Sequence, residues 1–201
     1  MRVLQYFLPP GRWYSVRLGL AALALVLAGQ GAALAYEHPA AGGERSHIAF
    51  HLRGRVVHVA DGDTFTIMVD GRQQRVRMAS IDAPETGKGR ERPGQPMGQA
   101  SKKALADLIA GKTLALDCYE KDQYGRNVCN VPLADGSTAN QRQVAAGMAW
   151  ANMEGRGKFM RDPSLPGLEQ KAREARLGLW RDPDPVKPWA WRYGCWKKGR
   201  C

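Results

Sequence analysis

The chain has 201 residues, 30 of them Lys or Arg against 19 Asp or Glu, for a formal net charge of +11. That length suits one domain, and that charge points to a polyanionic partner, either nucleic acid or an anionic surface. Charge alone leaves open that the excess serves only solubility. No internal repeat is visible, and none of the four cysteines sits in the C-x-x-C pair of a zinc ribbon or knuckle, so zinc is the weaker reading.

Residues 1–35 carry Arg2, Arg12 and Arg17 but no acidic residue; the first acid is Glu37. Residues 18–28 are apolar apart from Gly19, and a small-residue stretch ends in Ala33-Leu34-Ala35. Basic start, apolar run and Ala-x-Ala site are the parts of a secretory signal in their usual order, with cleavage expected after Ala35. The apolar run is shorter than the ~20 residues of a membrane span. An uncleaved membrane anchor is the minor alternative, because only Gln30 interrupts the stretch to Ala35. Cleavage leaves residues 36–201 with a charge of +8, in the periplasm or outside the cell. Cys118, Cys129, Cys195 and Cys201 all lie in that part, and an even count in an oxidising compartment points to two disulfides.

Residues 36–51, with Gly42 and Gly43, read as a flexible leader. From Arg53 a strand begins in which Val57 and Val59 alternate with His58. A second follows, with Phe65, Ile67 and Val69 alternating with Thr64, Thr66 and Met68, and Asp70-Gly71 turns it into a third strand over 75–81. Residues 86–97 hold three glycines and two prolines among charges and form a mobile surface loop. Ala104, Leu105, Leu108 and Ile109 then recur at helical spacing over 98–109, closed by Gly111. Leu114, Leu116 and Cys118 alternate as a strand, and 128–133 is its partner across Asp122-Gln123-Tyr124-Gly125. Ser137 or Thr138 caps a helix running through Val144 to Gly147. A third helix covers 166–177, with Leu168, Ala172 and Ala175 on one face and Gly178 as its stop. Three strands, a helix, two strands and then helices is the order of an OB-type barrel elaborated at its C-terminus. The expected class is therefore mainly β with about three helices (α+β), a five-stranded barrel over 52–181 followed by a Trp- and Cys-containing tail, 182–201.

The hairpin register suggests one cysteine pairing. With a four-residue loop at 122–125, Lys121 faces Arg126, and counting outward sets Cys118 opposite Cys129. Directly opposed residues approach within the ~4.5–5.5 Å between Cα atoms that a disulfide spans. Arg126 then points to the face opposite Cys129. Cys195 and Cys201 are left for each other; two free buried thiols at 118 and 129 are the alternative.

Three segments concentrate unusual charges: Asp61-Gly62-Asp63-Thr64, the run from Arg77 to Asp82-Ala83-Pro84-Glu85, and Tyr124-Gly125-Arg126. Taken singly, they are a hairpin turn, a strand ending at Pro84 and a polar loop. Arg77 resists that bland account, because an unpaired guanidinium in the middle of a strand is costly. Taken together, they suit phosphodiester cleavage. Asp63 and Asp82 offer two carboxylates to a hard divalent cation, with water and substrate phosphate completing its shell. Glu85 is placed to orient or deprotonate an attacking water. Arg77 and Arg126 can clamp phosphoryl oxygens as charge grows on them, and a planar guanidinium does this with two parallel bonds.

These motifs, D-G-D-T, R-x4-D-x-P-E and Y-G-R in that order, resemble those of the thermonuclease, or staphylococcal-nuclease-like, family, and the likeness runs from about Arg53 to Gly178-Leu179-Trp180. The resemblance implies calcium held by Asp63, Asp82 and the backbone carbonyl of Ala83. It implies Glu85 as general base, Arg77 and Arg126 as phosphate and transition-state ligands, and cleavage of DNA and RNA to 3′-phosphate ends. Ala83 stands where the best-known member has threonine, Gln123 where the family has a lysine, and Met153 near the place of a base-stacking aromatic. Tyr124 is either a substrate contact or a plain hairpin tyrosine. His38, His47, His51 and His58 precede the motifs without a partner arrangement and receive no catalytic role. The tryptophans near the C-terminus are read as packing the tail onto the barrel rather than stacking on bases. Nothing implies a stable protein partner, and a monomer is expected. The rival reading is a non-catalytic nucleic-acid-binding OB module, which would be expected to have lost one of the charged residues that are all present here.

Overall fold

The computed structural model describes residues 47–201, so the expected signal at 1–35 and residues 36–46 of the leader lie outside the described residues. Five strands close a barrel in the order β1-β2-β3-β6-β5. These are β1 (Phe50–Val59), β2 (Thr64–Val69), β3 (Arg72–Met78), β5 (Thr113–Lys121) and β6 (Asn127–Asn130). All pairings are antiparallel except β3 with β6. Closure follows from β1, which pairs with β5 over its first half and with β2 over its second. Asp70 and Gly71 both take positive φ, 46° and 74°, giving the two-residue turn whose twist matches paired strands.

The barrel interior is apolar: Phe65, Ile67, Val76, Met78, Leu116 and Val131 are fully buried. Helix α1 (Gly98–Ile109) adds Leu105 and Ile109, and α2 (Ala139–Ala145) adds Ala139 and Val144 to the same core. Thr138 caps α2 in a reciprocal box with Gln141. A separate two-stranded sheet pairs β4 (Ile81–Asp82), which directly follows β3, with β7 (Trp150–Ala151), which comes after the last barrel strand and α2. It is followed by a single turn α3 (Glu154–Gly157), α4 (Leu165–Glu174), a 3₁₀ turn at Gly178–Arg181 and α5 (Pro188–Trp191). Among the described residues no helix is long and apolar enough to cross a membrane.

Several strand and helix details differ from the sequence pattern. Val57 is 45% exposed, because a bulge between Val56 and His58 turns Val56 and Val59 inward instead. The strand expected over 75–81 breaks after Met78: Ser80 takes a left-handed φ of 65°, and Ile81 and Asp82 pair with Ala151 and Trp150 rather than staying in the barrel. On α4 the buried face is Leu165 and Ala172 with Leu168 partly buried, while Ala175 is exposed, since the helix starts at Leu165 and ends at Glu174. Lys121 pairs with Asn127, not Arg126, so the hairpin loop has five residues. A bulge between Cys118 and Glu120 absorbs the extra residue, which restores Cys118 opposite Cys129, and the two are bonded. Cys195 and Cys201 form the second disulfide, and there is no free cysteine among the described residues. The two disulfides point to an extracytoplasmic location.

Candidate active site

Asp63, immediately before β2, and Asp82, in β4, are buried carboxylates, 2% and 0% exposed. Two links hold them together. The amide of Met78 at the end of β3 donates to the carbonyl of Asp63 at 2.8 Å, so the start of β2 lies against the end of β3. The amide of Ala83 donates to Asp63 Oδ2 at 2.9 Å, which brings the residue after Asp82 onto the Asp63 carboxylate. Arg77 lies between Val76 and Met78, whose side chains fill the barrel, so its own side chain points out of the wall. There Nη2 reaches Asp82 Oδ1 at 2.6 Å and Asp63 Oδ2 at 3.2 Å. One nitrogen touching both carboxylates means that they converge on a single point.

Helix α2 fixes this corner from behind. Asn140 donates Nδ2 to the carbonyl of Ala79 at 2.8 Å and accepts the amide of Val131 at 3.0 Å. Gln143, three residues on and on the same face, donates Nε2 to the carbonyl of Gly62 at 2.7 Å. Both side chains are fully buried. One helix thus holds the backbone beside Asp63 and the backbone leading to Asp82. Gly62 is required by this packing rather than by its φ: a Cβ there would collide with the Ser101 side chain of α1 and lie 2.8 Å from the Ala83 Cβ.

The carboxylates respond differently to this setting. Burial pushes the Asp63 carboxyl up to about 7 against the pull of Arg77. For Asp82 burial acts the same way, but the charge of Arg77 and the hydrogen bonds of Arg192 outweigh it and hold the carboxyl below its ordinary value. Burial raises Glu85 despite a bond from Arg192. Buried, convergent and oxygen-only, Asp63 and Asp82 fit a hard divalent cation, whose charge would favour both ionised forms. Among the described residues no three Asp, Glu, His or Cys side chains form a ready-made cage, so oxygens from backbone, water or substrate would complete any shell.

The structure brings Asp63, Arg77, Asp82 and Glu85 together and adds a residue that sequence reasoning missed. Arg192, in the C-terminal tail, donates Nη1 to Asp82 Oδ1 at 3.0 Å and Nη2 to Asp82 Oδ2 at 2.8 Å. Its Nη1 also reaches Glu85 Oε1 at 2.8 Å. Arg126 is not in contact with these groups. It ends the hairpin loop, two residues before the Val128 that pairs with Arg77, and its Nε and Nη2 are both held by Asp122 Oδ2, at 2.7 and 2.6 Å. The exposed ring of Tyr124 lies 5.4 Å from the Arg126 guanidinium. Ala83 is buried and joins the site through its amide. Met153 is half-exposed, 50%, on the rim of a cleft with Trp150, Glu169 and Trp189.

A closed five-stranded barrel with helices, carrying acidic and arginine side chains at one corner of its wall, is the architecture of the OB-type nucleases. The family model for staphylococcal nuclease homologues matches residues 75–182. Described relatives include an uncharacterized endonuclease of Escherichia coli O157:H7, 40% identical over 142 residues, covering 71% of this chain and 86% of that protein. Another is a micrococcal nuclease of Shigella flexneri, 40% identical over 149 residues, with 70% and 80% covered. The chain belongs to the staphylococcal nuclease family. The matched residues end at Asp182, so Arg192 lies beyond them.

Proposed function

We propose that the protein is an exported, calcium-dependent nuclease that hydrolyses phosphodiester bonds of DNA and RNA with little sequence specificity and leaves 3′-phosphate ends. The observation that carries this reading is the convergence of Asp63 and Asp82 on one Arg77 nitrogen, with Glu85 joined to Asp82 through Arg192. Family membership supports the reaction class, and the two disulfides support export with residues 1–35 removed. A monomer is part of the same proposal.

Asp63 and Asp82 would hold the cation, with the Ala83 carbonyl as a third donor. Calcium, when bound, supplies a hard Lewis acid beside the scissile phosphate. Glu85, whose burial favours uptake of a proton, takes one from a water as that water's oxygen bonds to phosphorus. The bond from phosphorus to the 5′ oxygen breaks, and the leaving oxygen takes a proton from solvent. Arg77 makes both of its carboxylate contacts through Nη2, which leaves Nε and Nη1 to donate to phosphoryl oxygens as their charge grows. Arg126 joins it by exchanging Asp122 for phosphate. Tyr124, exposed beside Arg126, is placed to touch the same strand.

A gel-embedded digestion of denatured DNA and of RNA tests this. Clearing is expected with calcium, and loss of clearing with magnesium alone or with chelator. Equal cleavage in magnesium, or cleavage unaffected by chelator, contradicts the calcium reading; strong binding without cleavage in any metal would make the protein a binding module.

A further inference from the structure

After the 3₁₀ turn at Gly178–Arg181, the chain returns to the loop that carries Glu85. Four contacts pin it there. Trp191 and Trp196 both donate Nε1 to the carbonyl of Pro93, at 3.3 and 2.9 Å. Gln95 donates Nε2 to the carbonyl of Val186, while its own amide donates to the carbonyl of Glu85 at 2.8 Å. The Arg92 guanidinium lies over the Trp196 ring at 5.7 Å. α5 runs directly into a wide π-type turn, Arg192–Lys197, and the Cys195–Cys201 bond closes the end of the chain on itself. Arg192 is the first residue of that turn, between the two anchoring tryptophans, so the segment that docks on Pro93 also delivers its guanidinium.

That guanidinium takes both oxygens of Asp82 and one of Glu85. Arg77 already occupies Asp82 Oδ1 from the barrel side. A calcium ion lies about 2.3–2.6 Å from its carboxylate oxygens. A cation at that distance from the Asp82 oxygens would crowd a guanidinium held at 2.8–3.0 Å from the same two oxygens, and the two positive charges would repel. Ion and Arg192 therefore exclude each other on Asp82.

We propose that Arg192 is a built-in competitor of the catalytic cation: the C-terminal tail seats its guanidinium on Asp82 and Glu85 when the ion is absent and must withdraw for the ion to bind. This rests on the reading of Asp82 as a calcium ligand. The tail keeps a cluster of buried carboxylates neutralised without metal, and it lowers apparent calcium affinity by the fraction of molecules in which it is docked. A substrate phosphate that bridges to the ion, or draws Arg192 toward itself, then favours the open state. Calcium binding and nucleic-acid binding become mutually reinforcing.

Calorimetric titration of calcium into the purified protein without substrate tests this, using wild type, Arg192→Gln and Asp82→Asn, with hydrogen exchange of residues 188–197 followed in wild type. Arg192→Gln is expected to bind calcium on the order of tenfold more tightly than wild type. Exchange in the tail is expected to rise when calcium is added to wild type, a readout that needs no variant to fold. Equal affinity in wild type and Arg192→Gln, weaker affinity in Arg192→Gln, or a tail whose exchange calcium does not change each overturns the competitor. Asp82→Asn separates the two levels: loss of calcium binding there keeps the carboxylate reading even if the competitor fails, and unchanged binding removes both.

Discussion

Arg77 and Arg192 bind the same carboxylate, Asp82, from two regions built in different ways. Arg77 stands in a strand of a closed barrel, flanked by fully buried neighbours and paired across the sheet with Thr64 and Val128. Arg192 comes from a tail docked by two indole N–H bonds to one carbonyl, a glutamine contact, Arg92 over Trp196 and the packing of Trp189 beside Trp150 and Trp180, with no strand pairing. The backbone that carries the barrel arginine is paired on both sides, so its guanidinium is delivered from a fixed base. The tail arginine can leave by local detachment, which costs far less than global unfolding. A fixed charge suits a transition-state donor, and a removable one suits a competitor for the ion.

Loss of the barrel arginine should have the largest effect. Arg77→Lys is expected to lower turnover about 10²–10³-fold with the fold intact, the usual cost of removing a preorganised donor at developing charge. Arg126→Lys is expected to fall in the same range, since a lysine cannot reproduce the fork that now grips Asp122. Single-turnover cleavage with a circular-dichroism check of folding reads both, and near-wild-type turnover in either folded variant reassigns that arginine to structure.

The two disulfides put the same comparison in terms of stability. Cys118–Cys129 joins barrel strands over a separation of 11 residues, and replacing both with serine is expected to cost about 2–4 kcal/mol in denaturant unfolding. Cys195–Cys201 closes a loop of separation 6 at the chain end, and its removal is expected to cost the barrel about 1 kcal/mol or less. Similar losses from both would mean that the tail unfolds together with the barrel. Asn140→Ala falls between, at about 1–3 kcal/mol, because it orphans the buried carbonyl of Ala79 and the amide of Val131.

Much of the barrel could be read from local pattern. Phe65 and Ile67 alternate inward, Asp70-Gly71 turns the second strand into the third, and the helix over 98–109 falls where its apolar spacing places it. The bulges at Val57 and Tyr119 and the break at Ser80 left no such trace, because each depends on how the barrel closes rather than on residue type. The same limit applies to the site. Asp63, Arg77, Asp82 and Glu85 stand in short motifs whose spacing already hints at chemistry. Gln143 reads as an ordinary helix residue until it is seen bonded to Gly62, 81 positions away. Arg192 lies 110 positions from Asp82, in a stretch with no motif, and only the docking of Trp191 and Trp196 on Pro93 brings it there. The one available signal was the crowding of tryptophans beside a cysteine pair, which foretold a packed tail but not its target.

In the proposed reaction the Asp63, Arg77, Asp82 and Glu85 corner hydrolyses a phosphodiester bond, with Glu85 handling the proton of the attacking water. The most direct measurement is single-turnover cleavage of an end-labelled single strand in calcium by wild type and Glu85→Gln, with the affinity of each protein for the same strand measured in parallel. That role for Glu85 predicts a large loss of cleavage rate in Glu85→Gln with nearly unchanged affinity. Equal loss of rate and affinity, or cleavage at the wild-type rate, would contradict it.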